Sequence, residues 1–141
     1  MIWFKQYTIE ELKFLTTNNM LEHLGIEITE IGADYLKGKM PVDHRTVQPM
    51  SILHGGASVA LAESMGSIGA YLTVDPLKYH CVGMEINANH LRPVSSGYVH
   101  ATAKPLHIGS KTQVWSIEIM NEKNKLVCIS RITMAVIDRV S

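Results

Sequence analysis

A chain of 141 residues is long enough for one domain with a substantial core and leaves little room for a second, so a single domain over residues 1–141 is expected. Lys and Arg together number 13, as do Asp and Glu, and no basic run occurs, which argues against a nucleic-acid or anionic-membrane binder. Hydrophobic residues make up 46% of the chain and charged residues 18%, which excludes a disordered protein.

The start of the chain and its cysteines bear on where the protein works. Residues 1–5 lack the charged start and the long apolar centre of a signal peptide. Only Cys81 and Cys128 are present, without a C-x-x-C pair, so neither a disulfide framework nor a thiolate metal site is indicated. The apolar stretch over residues 57–74 contains Glu63, whose carboxylate would cost about 2.5–3.5 kcal/mol inside a bilayer. A cytoplasmic protein that does not enter a membrane is therefore expected.

Two short helices and a β-hairpin are predicted before residue 43. Thr8 and Glu11 have the spacing of a capping box, so each side chain can bond the backbone amide of the other at the start of a first helix. Gly25 suits the left-handed position that ends a second short helix. Alternating apolar and polar residues over 26–42, interrupted at 32–34, then predict two antiparallel strands.

The residues from Gly55 to Thr73 are apolar or small nearly all the way round, which predicts a helix buried inside the protein. Four strands should follow it, and the short turns between them favour antiparallel neighbours in a meander. Their predicted ranges are 81–91, 98–104, 112–120 and 126–137. The fold class is therefore α+β, with an antiparallel β-sheet wrapped around one long central α-helix.

Glu63 is the one charged residue within this helix, and Ser67 lies one turn further along the same face. A buried carboxylate without a partner costs several kcal/mol. Glu63 therefore reaches solvent, pairs with a structural cation, or lines a substrate pocket as a base or nucleophile.

The start of the same helix offers a second half of a site. The Gly55 amide has no helical acceptor and lies where the helix dipole is positive, so it could bind a developing oxyanion. A structural interpretation stays open beside this one, in which the glycines shape a tight turn and His54 caps the helix.

Other chemistries find little support. Ser58 lacks the final glycine and the preceding strand of a nucleophile elbow. No two of the seven histidines have the i, i+4 spacing of a zinc peptidase, and neither a dinucleotide-binding loop nor a Walker sequence occurs. Neither a metal nor a cofactor is expected.

A series of short motifs runs in order along most of the chain. They are Met1-Ile2-Trp3, Met40-Pro41-Val42-Asp43, Arg45-Thr46, Gln48-Pro49, Leu53-His54-Gly55-Gly56-Ala57-Ser58, Leu61-Ala62-Glu63-Ser64, Glu85-Ile86-Asn87-Ala88-Asn89-His90, Lys104-Pro105-Leu106-His107 and Gln113-Val114-Trp115. This set resembles the hotdog-fold acyl-CoA thioesterases of the 4-hydroxybenzoyl-CoA thioesterase-like group. Within that group it is most similar to the branch of the 1,4-dihydroxy-2-naphthoyl-CoA hydrolases and the enterobactin proofreading thioesterases.

The resemblance implies a homodimer whose active sites are shared between subunits, and two such dimers joined as a homotetramer. Glu63 of one subunit would act as nucleophile or general base. Gln48, His54 and Gly55 of the other subunit would face it, with the Gly55 amide on the thioester oxygen. Ser67 would help to place the glutamate or the attacking water.

The resemblance also implies a binding site for coenzyme A. Cationic and hydroxyl side chains in it suit phosphate groups, although Arg92 and Lys111 could equally be ordinary surface cations. The implied contacts are Gly83, His90, Leu91, Arg92, Pro93, His107, Ile108, Gly109, Ser110, Lys111 and Thr112.

Taken with the resemblance, these features predict a thioesterase that cleaves an aromatic or hydroxyaromatic acyl-CoA, with 1,4-dihydroxy-2-naphthoyl-CoA as a candidate, to free acid and CoA. An alternative is a proofreading thioesterase that acts on a misacylated aryl or acyl carrier protein. A different class, a non-catalytic acyl-CoA-binding hotdog protein, would have little reason to keep Glu63 opposite an oxyanion donor. A hotdog dehydratase is disfavoured because its usual histidine and acid arrangement is absent.

Overall fold

The computed structural model describes residues 1–140 and contains short helices, one long helix and six strands. A 3₁₀ helix covers Glu10–Thr16 and helix α1 covers Met20–Leu24, ahead of strands β1 (Glu27–Ile31) and β2 (Leu36–Pro41). Helix α2 (Gly55–Thr73) follows, and then strands β3 (Tyr79–His90), β4 (Tyr98–Ile108), β5 (Thr112–Met120) and β6 (Leu126–Asp138). The predicted α+β class is confirmed.

The six strands form one antiparallel sheet in the order β1-β2-β4-β5-β6-β3. The predicted meander is wrong for β3, which pairs with β6 at the sheet edge and not with β4. Because β5 and β6 lie between β3 and β4, the connection over residues 91–97 crosses from one part of the sheet to another, and its backbone bonds segments distant in sequence. Val94 O accepts from Leu53 N–H at 2.7 Å, and Gly97 O accepts from Val42 N–H at 2.8 Å.

Helix α2 packs against the sheet through its small and its bulky residues. Leu61, Met65 and Leu72 are fully buried, as the sequence predicted. A methyl group at Gly66 would lie 2.6 Å from Ile132 Cγ2, so a side chain there would force the sheet away from the helix. The missing side chain at Gly66 therefore lets the sheet approach α2 closely at this point.

The end of α2 is tied to the sheet and to the N-terminal segment by a buried polar chain. Gln113 is fully buried, donates to Thr73 Oγ1 at 2.8 Å and accepts from Trp115 Nε1 at 2.8 Å. The Trp115 ring stacks on Trp3 with centroids 6.2 Å apart, and Trp3 Nε1 donates to Gly32 O at 2.6 Å. This series of contacts joins the last residue of α2, Thr73, to β5 and to the N-terminal segment.

Several local predictions have a clear outcome. The capping box is confirmed, since Glu11 N–H donates to Thr8 Oγ1 at 3.3 Å and Thr8 N–H donates to Glu11 Oε2 at 3.1 Å, although the helix it opens is 3₁₀. Gly25 ends α1 with a φ of 73°.

Strand β4 runs beyond its predicted end because a bulge after Pro105 restores the ladder of hydrogen bonds that proline interrupts. Within residues 1–140, no helix is long and apolar enough to cross a membrane.

Candidate active site

Glu63 projects from the middle of α2 toward the edge strand β3, and its side chain is exposed in the single chain. Together with Gly83, Met84, Glu85, Ile86 and Ile132 it lines a cavity of about 140 Å³. Within residues 1–140 the carboxylate has neither a hydrogen bond nor an ion pair. Of the sequence interpretations, contact with solvent holds for the single chain, and no cationic side chain among residues 1–140 pairs with the carboxylate.

The start of α2 presents two donors that are free to meet a ligand. His54 is the N-cap residue, and its Nδ1 accepts from Gly56 N–H at 2.8 Å. A neutral imidazole with Nδ1 as acceptor carries its proton on Nε2, so that atom remains a donor. Gly55 N–H has no acceptor among the described residues. His54 thus caps the helix, and its outer nitrogen stays available.

The loop before α2 is a small hairpin in which Gln48 is the first residue of the turn, with Ser51 N–H donating to Gln48 O at 2.9 Å. Val47 and Leu53 form an isolated antiparallel bridge, and His54 N–H donates to Thr46 O at 2.8 Å. The Gln48 side-chain oxygen accepts from the backbone amide of Met50, which leaves the amide nitrogen of Gln48 free to point outward. The hairpin therefore fixes Gln48 relative to His54.

Thr46 anchors the base of this hairpin, a role that the sequence motifs did not indicate. Its side chain is 2% exposed, and its hydroxyl donates to Pro41 O at 2.7 Å and accepts from Asp43 N–H at 3.2 Å. Arg45 closes the same turn, with Nη2 2.7 Å from Asp43 Oδ2. Bonds from the Arg45 side chain, and then from its backbone amide, lower the pKa of Asp43 from 3.8 to about 2.

His90 at the end of β3 lies directly against Gly55. A methyl group at Gly55 would come within 2.8 Å of His90 Nε2, so glycine is required for this approach. The segment His90 to Pro93 and the first turn of α2 line a second cavity of about 360 Å³. The Gly55 amide and one implied coenzyme A segment therefore share one end of the molecule.

The second implied coenzyme A segment, residues 107–112, lies at the other end of the sheet. Thr112 pairs with Ala135 of β6, whereas His90 pairs with Cys128. Cys128 and Ala135 are seven residues apart in a strand, which is about 23 Å. One chain does not bring the two segments together.

Glu63 and Gly55 of one chain are also far apart. They are eight residues apart in α2, which is about 12 Å at 1.5 Å per residue. Ser67 lies on the Glu63 side, but its hydroxyl points to Met134 Sδ at 3.7 Å and not to the carboxylate. The site residues thus form two groups, one around Glu63, Gly83 and residues 107–112, the other around Gln48, His54, Gly55 and residues 90–93.

The sequence of this chain matches the family model described as "Thioesterase superfamily" over residues 50–128. The chain belongs to that superfamily. A thioesterase from Haemophilus influenzae has the same architecture, with a TM-score of 0.96 at 50% identity over 100% of this chain and 98% of that one. The fold is therefore the hotdog fold, and the protein is a thioester hydrolase.

Two named relatives carry different descriptions. The 1,4-dihydroxy-2-naphthoyl-CoA hydrolase of Escherichia coli is 50% identical over 137 residues, which is 97% of this chain and 100% of that protein. The proofreading thioesterase EntH of Cronobacter turicensis is 47% identical over 136 residues, which is 96% of this chain and 98% of that protein. Both similarities cover nearly the whole chain at nearly equal identity, so they do not decide between these two descriptions.

Proposed function

We propose that this thioesterase hydrolyses hydroxyaromatic acyl-CoA thioesters, with 1,4-dihydroxy-2-naphthoyl-CoA as the first candidate, in a site shared between two subunits. The observation that carries the proposal is the division of the site residues into two groups about 12 Å apart on α2. A thioester carbonyl is too small to contact both the Glu63 carboxylate and the Gly55 amide of one chain. The similarity to the E. coli hydrolase supports the choice of acyl group.

Strand β3 offers the surface through which two copies would complete each other. It is a 12-residue edge strand, with Val82 and Met84 45% and 62% exposed. A long open edge is a template for pairing with another strand. In a two-fold dimer the β3 strands pair antiparallel, so the Gly83 end of one lies beside the His90 end of the other. The axis then lies near Ile86 and Asn87, midway between these ends.

Each composite site would hold the parts of a thioester hydrolase. Glu63, Ser67 and residues 107–112 come from one subunit, and Gln48, His54, Gly55 and residues 90–93 come from its partner. Gly55 N–H, at the positive end of a 19-residue helix, stabilises the charge that develops on the carbonyl oxygen. Glu63 either attacks the acyl carbon or removes a proton from water that attacks it. In both routes the C–S bond breaks, the acyl carbon gains hydroxyl from water, and the CoA sulfur takes the proton.

A carrier-protein thioester is the second candidate substrate, and the similarity to EntH favours it. Coenzyme A and a carrier protein present the acyl group on the same pantetheine arm, so the geometry at Glu63 would be unchanged. Comparing kcat/KM for matched acyl-CoA and acyl-carrier thioesters separates the two candidates. A higher value on the carrier would replace the first candidate by the second.

The test combines two inactive chains. Glu63→Gln should lower kcat by at least about 10³, because an amide is neither a base nor a nucleophile. A second chain carries Gln48→Ala and His54→Ala. A heterodimer of the two contains one site with all defects and one with none. Random pairing gives half heterodimers, so refolding equal amounts together should restore about a quarter of wild-type activity per site.

Each parent refolded alone serves as the control, and mass spectrometry confirms that heterodimers have formed. Activity in the mixture that stays at the level of the parents would refute the shared site. Wild-type turnover by Glu63→Gln would refute the role of the glutamate.

A further inference from the structure

We propose that Gly83 is a positioning residue for Glu63, and that its missing side chain sets where the carboxylate lies at the β3 edge. The inference rests on the proposed function, because it concerns the group that performs the reaction. It differs from the coenzyme A contact that resemblance implies for Gly83, since it predicts an effect on turnover and not on binding.

The contact between the two residues is close. A methyl group at Gly83 would lie 3.0 Å from Glu63 Oε2 and 3.8 Å from Glu63 Cδ. A separation of 3.0 Å is shorter than an ordinary van der Waals contact between carbon and oxygen, so one of the two groups would have to move. Only glycine leaves the observed position of the carboxylate open.

Ile132 lies on the other side of the space that the added methyl group would occupy. The same methyl group would lie 3.7 Å from Ile132 Cδ1, and Ile132 is fully buried. Ile132 is in turn held by α2, because its Cγ2 fills the place that a side chain on Gly66 would take. Since Ile132 cannot withdraw and the Glu63 side chain is exposed, a methyl group would displace the carboxylate.

A β-bulge in the backbone at Gly83 adds to the space for the carboxylate. A bulge interrupts the pairing of β3 with β6 between Gly83 and Glu85, with Gly83 opposite Met134 and Glu85 opposite Thr133. The extra residue, Met84, lines the cavity beside Glu63. Bulges bend a strand locally and are frequent next to active sites. Here the bulge and the glycine together leave room at the strand edge for one carboxylate.

Filling the space beside Glu63 with a methyl group should affect stability and catalysis differently. Moving an exposed, flexible carboxylate by a few tenths of an ångström costs the fold little. A reacting group, in contrast, has to be held within about 0.5 Å of its productive position, and a displacement of about 1 Å can cost 10²-fold in rate. A few tenths of an ångström is a substantial part of that tolerance but well below 1 Å, so Gly83→Ala should lower kcat about 3- to 10-fold while KM and the melting temperature stay close to wild type.

The decisive measurement is the coupling between the two positions. Aspartate is shorter than glutamate by one methylene, so its carboxylate withdraws from the added methyl group. In a Glu63→Asp background, Gly83→Ala should change kcat by less than about twofold, although it costs about 3- to 10-fold in the wild type. His80→Ala at the start of the same strand is the matched control, because this exposed side chain lies outside both groups of site residues and outside the stretch from Gly83 to His90 that would pair in the dimer. It should keep wild-type kcat.

The possible results separate the positioning role of Gly83 from the catalytic role of Glu63. A wild-type kcat for Gly83→Ala, a rise confined to KM, or equal losses in both Glu63 backgrounds would overturn the positioning role. If Glu63→Gln itself keeps its activity, the proposed function fails and not this contact. A loss of kcat by His80→Ala equal to that of Gly83→Ala would show general damage to β3 and would also overturn the inference.

Discussion

Replacing Thr46 with valine tests whether the Gln48 hairpin depends on one buried hydroxyl. Valine has nearly the same shape, so no cavity forms, but Pro41 O loses its donor at 2.7 Å and Asp43 N–H its acceptor at 3.2 Å. Leaving a buried polar group unsatisfied costs about 1–3 kcal/mol. For a chain of this length about 1 kcal/mol corresponds to about 3–4 °C, so the melting temperature of Thr46→Val should fall by about 3–12 °C.

The same substitution should reduce activity, because Thr46 O also receives His54 N–H and so fixes the hairpin to the start of α2. A loosened hairpin places Gln48 and His54 less well, and kcat/KM should fall about tenfold. Thermal unfolding and thioester hydrolysis are measured on the same preparations. Thr46→Ser keeps the hydroxyl and is the matched control, with activity within about threefold of wild type. A valine variant as stable and active as wild type, or a serine variant as damaged as valine, would refute the reasoning.

Two further predictions concern the neighbouring residues. Gly55→Ala should displace the His90 ring, because His90 Nε2 would otherwise lie 2.8 Å from the new methyl group. The KM for an acyl-CoA should rise several-fold with little change in melting temperature. An unchanged KM would contradict this contact. Because the pKa of Asp43 is lowered to about 2, its contribution to stability is complete above about pH 4 and is lost as the pH falls toward 2. Asp43→Asn should therefore lower the urea midpoint at pH 6 and change it less at pH 2.5, and an equal change at both values would refute the assignment.

Local signals in the sequence account for much of the fold. The helix from Gly55 to Thr73 was predicted with its observed ends, since a long apolar run between a glycine pair and a β-branched residue leaves few alternatives. Strand β5 was also predicted with its observed ends. The partner of β3 was not predictable in this way, because the choice between β4 and β6 depends on contacts of residues 91–97 with Leu53 and Val42, which are distant in sequence.

The candidate site was predictable to the extent that its residues break a pattern. Glu63 attracts attention as one carboxylate in an apolar helix, and Gly55 as a glycine at a helix start. Gly83 had a comparable signal, since an isolated glycine inside a strand indicates a bulge or a close approach, and the structure has both. Thr46 belongs to one of the motifs in the sequence, but nothing in a local pattern indicates which carbonyl its hydroxyl will meet.

The two edges of the sheet differ in a way that links assembly to activity. Strand β1 has five residues and carries Glu27 and Glu30, which pair with lysines of β2, so it is short and charged as protected edges are. Strand β3 has 12 residues and a single acidic side chain, Glu85. Both groups of site residues border β3, one near each end. In the proposed dimer, pairing of the two β3 strands therefore covers the edge that could otherwise pair with unrelated strands, and it completes two active sites at the same time. A chain without its partner would have an open edge and no complete site.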